Sequence, residues 1–237
     1  MLFRSHGVAV KCVGHPLADS LGFEDHKLRS RKKFDLGADN SIVTLMPGSR
    51  GGEIKRLAPV FLNAAVQSLT DCPNLKFLIP YSSAANYAQI NALLREMSLF
   101  RGERFILVDD SHGAISAADL VVLSSGTATL ETLLLRRPMI VGYKLAAITF
   151  AIASRLVKIP YVALPNLLAG RQLVPEYIQH DLTAAKVRDD IVRHISGAED
   201  HAGLMQEFEK IHRSLRLDAS AQAAAAVAGL IEDSVAQ

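Results

Sequence analysis

Between residues 41 and 143, short apolar runs alternate with stretches whose apolar positions recur every three to four residues. The runs at 41–48 (SIVTLMPG), 75–81 (LKFLIPY), 104–110 (RFILVDD), 119–125 (DLVVLSS) and 138–143 (PMIVGY) are almost continuously apolar. Such runs predict strands covered on both faces. The stretches at 53–70, 83–99, 112–118 and 127–136 have helical periodicity. Strand and helix in alternation predict an α/β class: a Rossmann-like parallel sheet with helices on both faces. Ligands of such sheets bind at the carboxyl ends of the strands. A further strand is expected at 8–14 (VAVKCVG).

The remainder has a different pattern. Residues 23–40 are polar and charged and read as a linker holding a short helix, its basic cluster a solvated face. Residues 161–179 are punctuated by Pro165, Gly170 and Pro175, which predicts a loop leading to a helix. The stretches 184–197 and 201–217 are amphipathic, and 219–235 is an alanine-rich helix with Val227, Leu230 and Ile231 on one face. The apolar stretch 145–157 has two readings: a core helix, or an interfacial surface anchored by Lys144, Arg155 and Lys158.

Composition narrows the function classes. The 237 residues are 49% hydrophobic, enough for one large domain or two small ones. Lys and Arg number 26 against 24 Asp and Glu, a net charge of +2, which offers no electrostatic case for nucleic acid. Cys12 and Cys72 read as reduced thiols of a cytosolic protein. The opening MLFRSHGVAV does not read as a secretory signal. No apolar run approaches the roughly 18–20 residues that span a bilayer.

Two strand-to-helix turns carry candidate chemistry. In LMPGSRGGEIKRL (45–57), Gly48, Gly51 and Gly52 permit positive φ and close approach of a ligand to the backbone. The N–H groups of the following helix favour an anion, and Arg50 can present a fork of donors to a diphosphate. The competing reading is an ordinary turn with an exposed arginine. In SSGTATLE (124–131), Ser125, Gly126 and Thr127 stand where strand becomes helix, suited to a phosphate. Glu131 lies one turn further along the same face, where a carboxylate can accept from both ribose hydroxyls. The competing reading makes Ser125 or Thr127 a helix cap and Glu131 a surface charge.

Two weaker candidates follow. In YVALPNLLAGRQLVPEYIQ (161–179), Asn166, Arg171, Glu176 and Gln179 stand among apolar neighbours, with Glu176 and Gln179 three apart on one face; they suit sugar hydroxyls or, alternatively, capping and turns. His15, held extended by Pro16, reads as structural. No HExxH, GxSxG or CxxC pattern is present, so neither a metal nor a covalent nucleophile is indicated.

Taken in order, VGHPLAD, LMPGSRGGEI, SSGTATLE, RRPMIVGYKL and RLVKIPYVALPNLLAGRQLVPEYIQ resemble the lipid-A-disaccharide synthase family, bacterial glycosyltransferases of the two-lobed GT-B fold. The resemblance covers nearly the whole chain. The LPNLLAG phrase is specific to this family, and SGTATLE is shared more widely among GT-B enzymes. It implies transfer of 2,3-diacylglucosamine from UDP-2,3-diacylglucosamine to lipid X (2,3-diacylglucosamine 1-phosphate). The products are a β-1,6-linked disaccharide and UDP, formed at the cytoplasmic face of the inner membrane without a cofactor. Residues 41–183 would then be the UDP-sugar lobe. Gly48, Ser49 and Arg50 would meet the diphosphate, Ser125, Gly126 and Thr127 the phosphates, and Glu131 the ribose. Asn166 would face the sugar, with Glu176 and Gln179 beside it. Residues 1–22 would match the end of an amino-terminal acceptor lobe that supplies the catalytic base. Residues 184–237 would cross back toward that lobe and can exchange between subunits of a homodimer. On this reading residues 1–237 bind UDP weakly and turn over poorly. Two other functions fit the pattern: a non-catalytic UDP-sugar-binding module and a UDP-N-acetylglucosamine 2-epimerase-like enzyme.

Overall fold

A computed structural model describes residues 7, 10–37, 39–99, 103–145, 160–198 and 201–235. The apolar stretch 146–157 lies outside the described residues, as do Arg155 and Lys158. Six strands form one sheet: β1 (Ser41–Met46), β2 (Leu75–Pro80), β3 (Phe105–Val108), β4 (Leu120–Ser124), β5 (Met139–Tyr143) and β6 (Glu176–Ile178). Their spatial order is β3-β2-β1-β4-β5-β6, and every pairing is parallel. The chain leaves β1 toward one edge and returns through β4 toward the other. The β1–β4 boundary is therefore the topological switch point at which such sheets bind ligands.

The helices are α1 (Pro16–Ser20), α2 (Lys27–Lys33), α3 (Gly51–Ser68), α4 (Ala84–Glu96), α5 (Ser111–Ala117), α6 (Thr127–Leu134), α7 (Leu164–Ala169), α8 (Ala184–Ile195), α9 (Ala202–Leu215) and α10 (Ala219–Val235). Alternating strand residues serve opposite faces. Val43, Leu45, Leu120 and Val122 pack with Ile54, Phe61, Ile90, Val187 and Ile191 from α3, α4 and α8. Val121, Leu123, Met139 and Val141 pack with Leu130, Leu133, Leu134 and Phe208 from α6 and α9. Ile42, Leu78 and Val108 close a third cluster with Leu36, Ala114 and Ala117. No described helix is long and apolar enough to cross a membrane.

Four expectations are corrected. Residues 10–15 form no strand; the Gly14–Ala18 stretch lies against α9, with His15 N–H donating to the Leu215 carbonyl at 2.9 Å. His15 itself caps α1, its Nδ1 accepting from Leu17 N–H. The region 161–179 is no plain loop, because it holds α7 and the edge strand β6. The basic cluster of 23–40 is only in part a solvated face: Lys27 and Arg31 both pair with Asp119, and Lys33 pairs with Asp110. Finally, α3 begins at Gly51, so Gly51 and Gly52 are first-turn residues and, of the three glycines, Gly48 alone has positive φ (113°).

Candidate functional site

The turns after β1 and β4 open into one cleft of about 480 Å³. Gly48, Ser49, Arg50, Ser125, Gly126, Thr127 and Glu131 all line it, as do Tyr81, Ser82, Asp109 and Ser111 from the ends of β2 and β3. It therefore sits at the switch point, where the topology favours binding.

Capping shows what the cleft can hold. Asp110 caps α5 by accepting from Gly113 N–H at 2.8 Å, and Ser83 caps α4 through Asn86 N–H. The helices α3 and α6 start at the cleft with no side-chain cap. A helix start leaves N–H groups without intrahelical partners, and the helix dipole adds positive potential there. Two such starts facing one recess are an arrangement that favours an anion. Thus neither Ser125 nor Thr127 caps α6; the cap position is Gly126, in extended backbone.

Gly48 is required by the turn itself. Its φ is 113°, and a Cβ there would meet Glu53 Oε2 at 2.3 Å. Glu53 in turn pairs with Arg50 at 3.2 Å, and the Arg50 side chain is 85% exposed at the cleft. Ser125 has a more restricted role than the sequence suggests. Its hydroxyl donates to the Val162 carbonyl at 2.7 Å, so that hydrogen is engaged in tethering the segment before α7.

Glu131 is not a plain surface charge. Its Oε1 lies 3.1 Å from Nδ1 of His112 on α5. His112 was not among the residues the sequence pointed to. No motif marks it, since the contact joins two helices 19 residues apart. Below it, Asp110 is held by Lys33 at 2.6 Å. Burial pushes the Asp110 carboxyl up, but the Lys33 ammonium and the Gly113 N–H outweigh burial and hold it below its usual value. A depressed carboxylate stabilises the fold above the unfolded value, near pH 4, and that contribution is lost as pH falls through the folded value. Asp110→Asn, which keeps an acceptor for the cap, is expected to be less stable than wild type at pH 7. Urea unfolding should show the gap closing as pH falls below about 4; a pH-independent gap would exclude a charge contribution.

Asn166, Glu176 and Gln179 are not brought to this cleft. Asn166 is fully buried. Its Nδ2 donates to Glu176 Oε1 at 2.6 Å and to the Val174 carbonyl at 2.9 Å, and its Oδ1 accepts from Leu173 N–H and Val174 N–H. Glu176 also accepts from Val162 N–H and Ala163 N–H. The pair is a staple that holds the start of α7 against the approach to β6. Nor do Glu176 and Gln179 share a helical face, because Glu176 is in β6 and Gln179, with φ 54°, opens a 3₁₀ turn. Arg171 pairs with Glu207 of α9.

A larger recess, about 570 Å³, lies at the opposite end of the sheet between Ser41, Asp119 and Pro138. Several of its charges are paired: Lys27 and Arg31 bond Asp119, and Arg137 bonds Asp25. The uncapped starts of α3 and α6 are instead at the carboxyl ends of the strands.

Comparison with known proteins agrees with this architecture. Among solved structures, E. coli ADP-heptose lps heptosyltransferase II superposes with a TM-score of 0.53 at 14% identity, covering 76% of this chain and 54% of that one. A putative UDP-N-acetylglucosamine 2-epimerase from Listeria monocytogenes gives 0.55 at 12% identity, covering 93% and 53%. These likenesses establish the shared fold. A family model described as lipid-A-disaccharide synthetase matches residues 1–228. The lipid-A-disaccharide synthase of Pseudomonas aeruginosa (strain UCBPP-PA14) is 44% identical over 230 residues, 97% of this chain and 60% of the relative. That of Pseudomonas syringae pv. syringae is 46% identical over 97% of this chain and 59% of the relative. The chain thus spans about 60% of the length of these relatives, and over that span it belongs to the lipid-A-disaccharide synthase family.

Proposed function

We propose that this chain supplies the donor-binding lobe of a lipid-A-disaccharide synthase. The donor is UDP-2,3-diacylglucosamine and the acceptor is lipid X. The 6-hydroxyl of the acceptor displaces UDP with inversion at the anomeric carbon. The observation that carries the reading is the pair of uncapped helix starts, α3 and α6, lining one switch-point cleft with Glu131.

In this reading the diphosphate lies across the starts of α3 and α6, and Arg50 swings from Glu53 to meet it. As the sugar–oxygen bond breaks, charge grows on the diphosphate. Oriented N–H groups and a guanidinium stabilise that charge without reorganising. Glu131 accepts from the ribose hydroxyls. Asn166 and Glu176 act at a distance, by fixing the segment that Ser125 tethers. The acceptor pocket and the base belong to the family's amino-terminal lobe, whose end corresponds to residues 1–22. The enzyme works at the cytoplasmic face of the inner membrane as a peripheral protein, and homodimerises by exchanging carboxy-terminal segments. The 2-epimerase alternative has the shared fold alone in its favour.

Calorimetric titration with UDP tests the site. Arg50→Ala is expected to weaken binding about three- to tenfold, because an exposed side chain contributes modestly. Glu131→Ala is expected to weaken it about tenfold or more, through lost charge-assisted hydrogen bonds. UDP affinity indifferent to both substitutions would overturn the assignment.

A further inference from the structure

The contact between His112 and Glu131 has a direction. An ionised carboxylate has no hydrogen to give, so the imidazole is the donor and carries its hydrogen on Nδ1. Glu131 Oε1 is occupied by that hydrogen at 3.1 Å. Its Oε2 has no hydrogen-bond partner among the described residues. The glutamate side chain is 22% exposed and the histidine 43%. One oxygen is thus anchored to the protein, and the other is left at a cleft that Glu131 lines.

The anchor itself is held unusually well for a helix of seven residues. Asp110 caps its start and is pinned by Lys33. Side chains from β1, α2 and the connection between α6 and β5 take the carbonyls of α5. Thr44 of β1 donates to Ala114 at 2.7 Å, Arg137 donates to Ser116 at 2.8 Å, and Arg31 of α2 donates to Ala117 at 3.1 Å. Gly113 leaves no room for adjustment, since a Cβ there would meet Asp110 Oδ2 at 2.2 Å and Phe34 at 3.2 Å. A glutamate has three rotatable side-chain bonds, and precise recognition requires its carboxylate to be held by groups that are themselves fixed. Two other carboxylates line the cleft: Asp109, on the turn between β3 and α5, and Glu53, which pairs with Arg50.

We propose that His112 is a positioning residue of the nucleotide site. Its Nδ1–H fixes the Glu131 carboxylate so that Oε2 meets the vicinal hydroxyls of a ribose. The inference rests on the reading of Glu131 as the ribose acceptor, and it adds a residue that discriminates ribonucleotides from sugars lacking those hydroxyls. His112 contributes through Glu131, so its effect depends on the presence of ribose hydroxyls and of Glu131. A residue that only stabilised the fold would affect every ligand alike.

The test is calorimetric titration of the full chain with UDP and with 2′,3′-dideoxy-UDP, with a thermal melt of each variant. His112→Ala is expected to weaken UDP binding about tenfold, the scale of one charge-assisted hydrogen bond. His112→Asn, whose amide nitrogen can stand near the place of Nδ1, is expected to restore affinity to within about threefold. Dideoxy-UDP is expected to bind wild type, His112→Ala and Glu131→Ala equally. The double variant His112→Ala/Glu131→Ala is expected to bind UDP no more weakly than Glu131→Ala, as coupled residues are non-additive. If Glu131→Ala weakens UDP binding and His112→Ala does not, the positioning role is overturned while the ribose site stands. If His112→Ala weakens both nucleotides equally, the role is also overturned. If Glu131→Ala changes nothing and the two nucleotides bind alike, the ribose reading falls, and the positioning role with it.

Discussion

Asn166→Ala is expected to cost about 3–5 kcal/mol of folding stability, read as a fall in the urea midpoint. The wild-type amide is fully buried and makes four hydrogen bonds. Alanine would leave the N–H groups of Leu173 and Val174 without their acceptor, and Glu176 without one of its donors. A buried polar group that loses its partner costs roughly 1–3 kcal/mol, and more when it is charged. Asn166→Asp should be no better, because it sets a second carboxylate against Glu176, 2.6 Å from the present amide. The outcome separates two roles. An unchanged midpoint with weakened binding of the UDP-sugar donor would return Asn166 to the sugar-facing side that the resemblance implies. A large fall in midpoint would assign it to the loop.

Gly126→Val is expected to show the opposite pattern: a fold nearly as stable as wild type and UDP binding weakened about a hundredfold, some 2.7 kcal/mol. At φ 167° the backbone of Gly126 is extended, which valine adopts readily. An added Cβ meets no protein atom within 4 Å. Packing therefore does not demand glycine here, and the cost at a helix cap position is about 1 kcal/mol. What the position does demand is room, because a phosphate must come within hydrogen-bonding distance of the α6 N–H groups to use them. Titration beside a thermal melt checks both halves. Wild-type affinity in the variant would place the diphosphate elsewhere than the start of α6.

Much of this was legible in the chain. The five runs read as strands, 41–48, 75–81, 104–110, 119–125 and 138–143, contain β1 to β5, because interior strands of a parallel sheet must be apolar on both faces. The sixth strand was missed for the converse reason. Glu176–Ile178 is three residues long, half-buried and at the sheet edge, so it bears no such signature. The opposite error arose at 8–14, where alternation suggested a strand but residues 10–15 pair with no other strand among the described residues. A strand is completed by its neighbour, and a single segment cannot report whether that neighbour is present.

The sequence by itself determined the parallel α/β plan, the two strand-to-helix turns and membership of the family, since each depends on residue types at short spacing. Only the tertiary structure decided which of the proposed site residues meet. It brought the turns at 48–50 and 125–127 together because β4 lies beside β1 although two strands separate them in the chain. It buried Asn166 in a staple with Glu176 and placed His112 against Glu131. The physical reason is that local propensity and periodicity act over a few residues. The partners of a hydrogen bond across helices are chosen instead by strand order and by the packing of helices on the sheet.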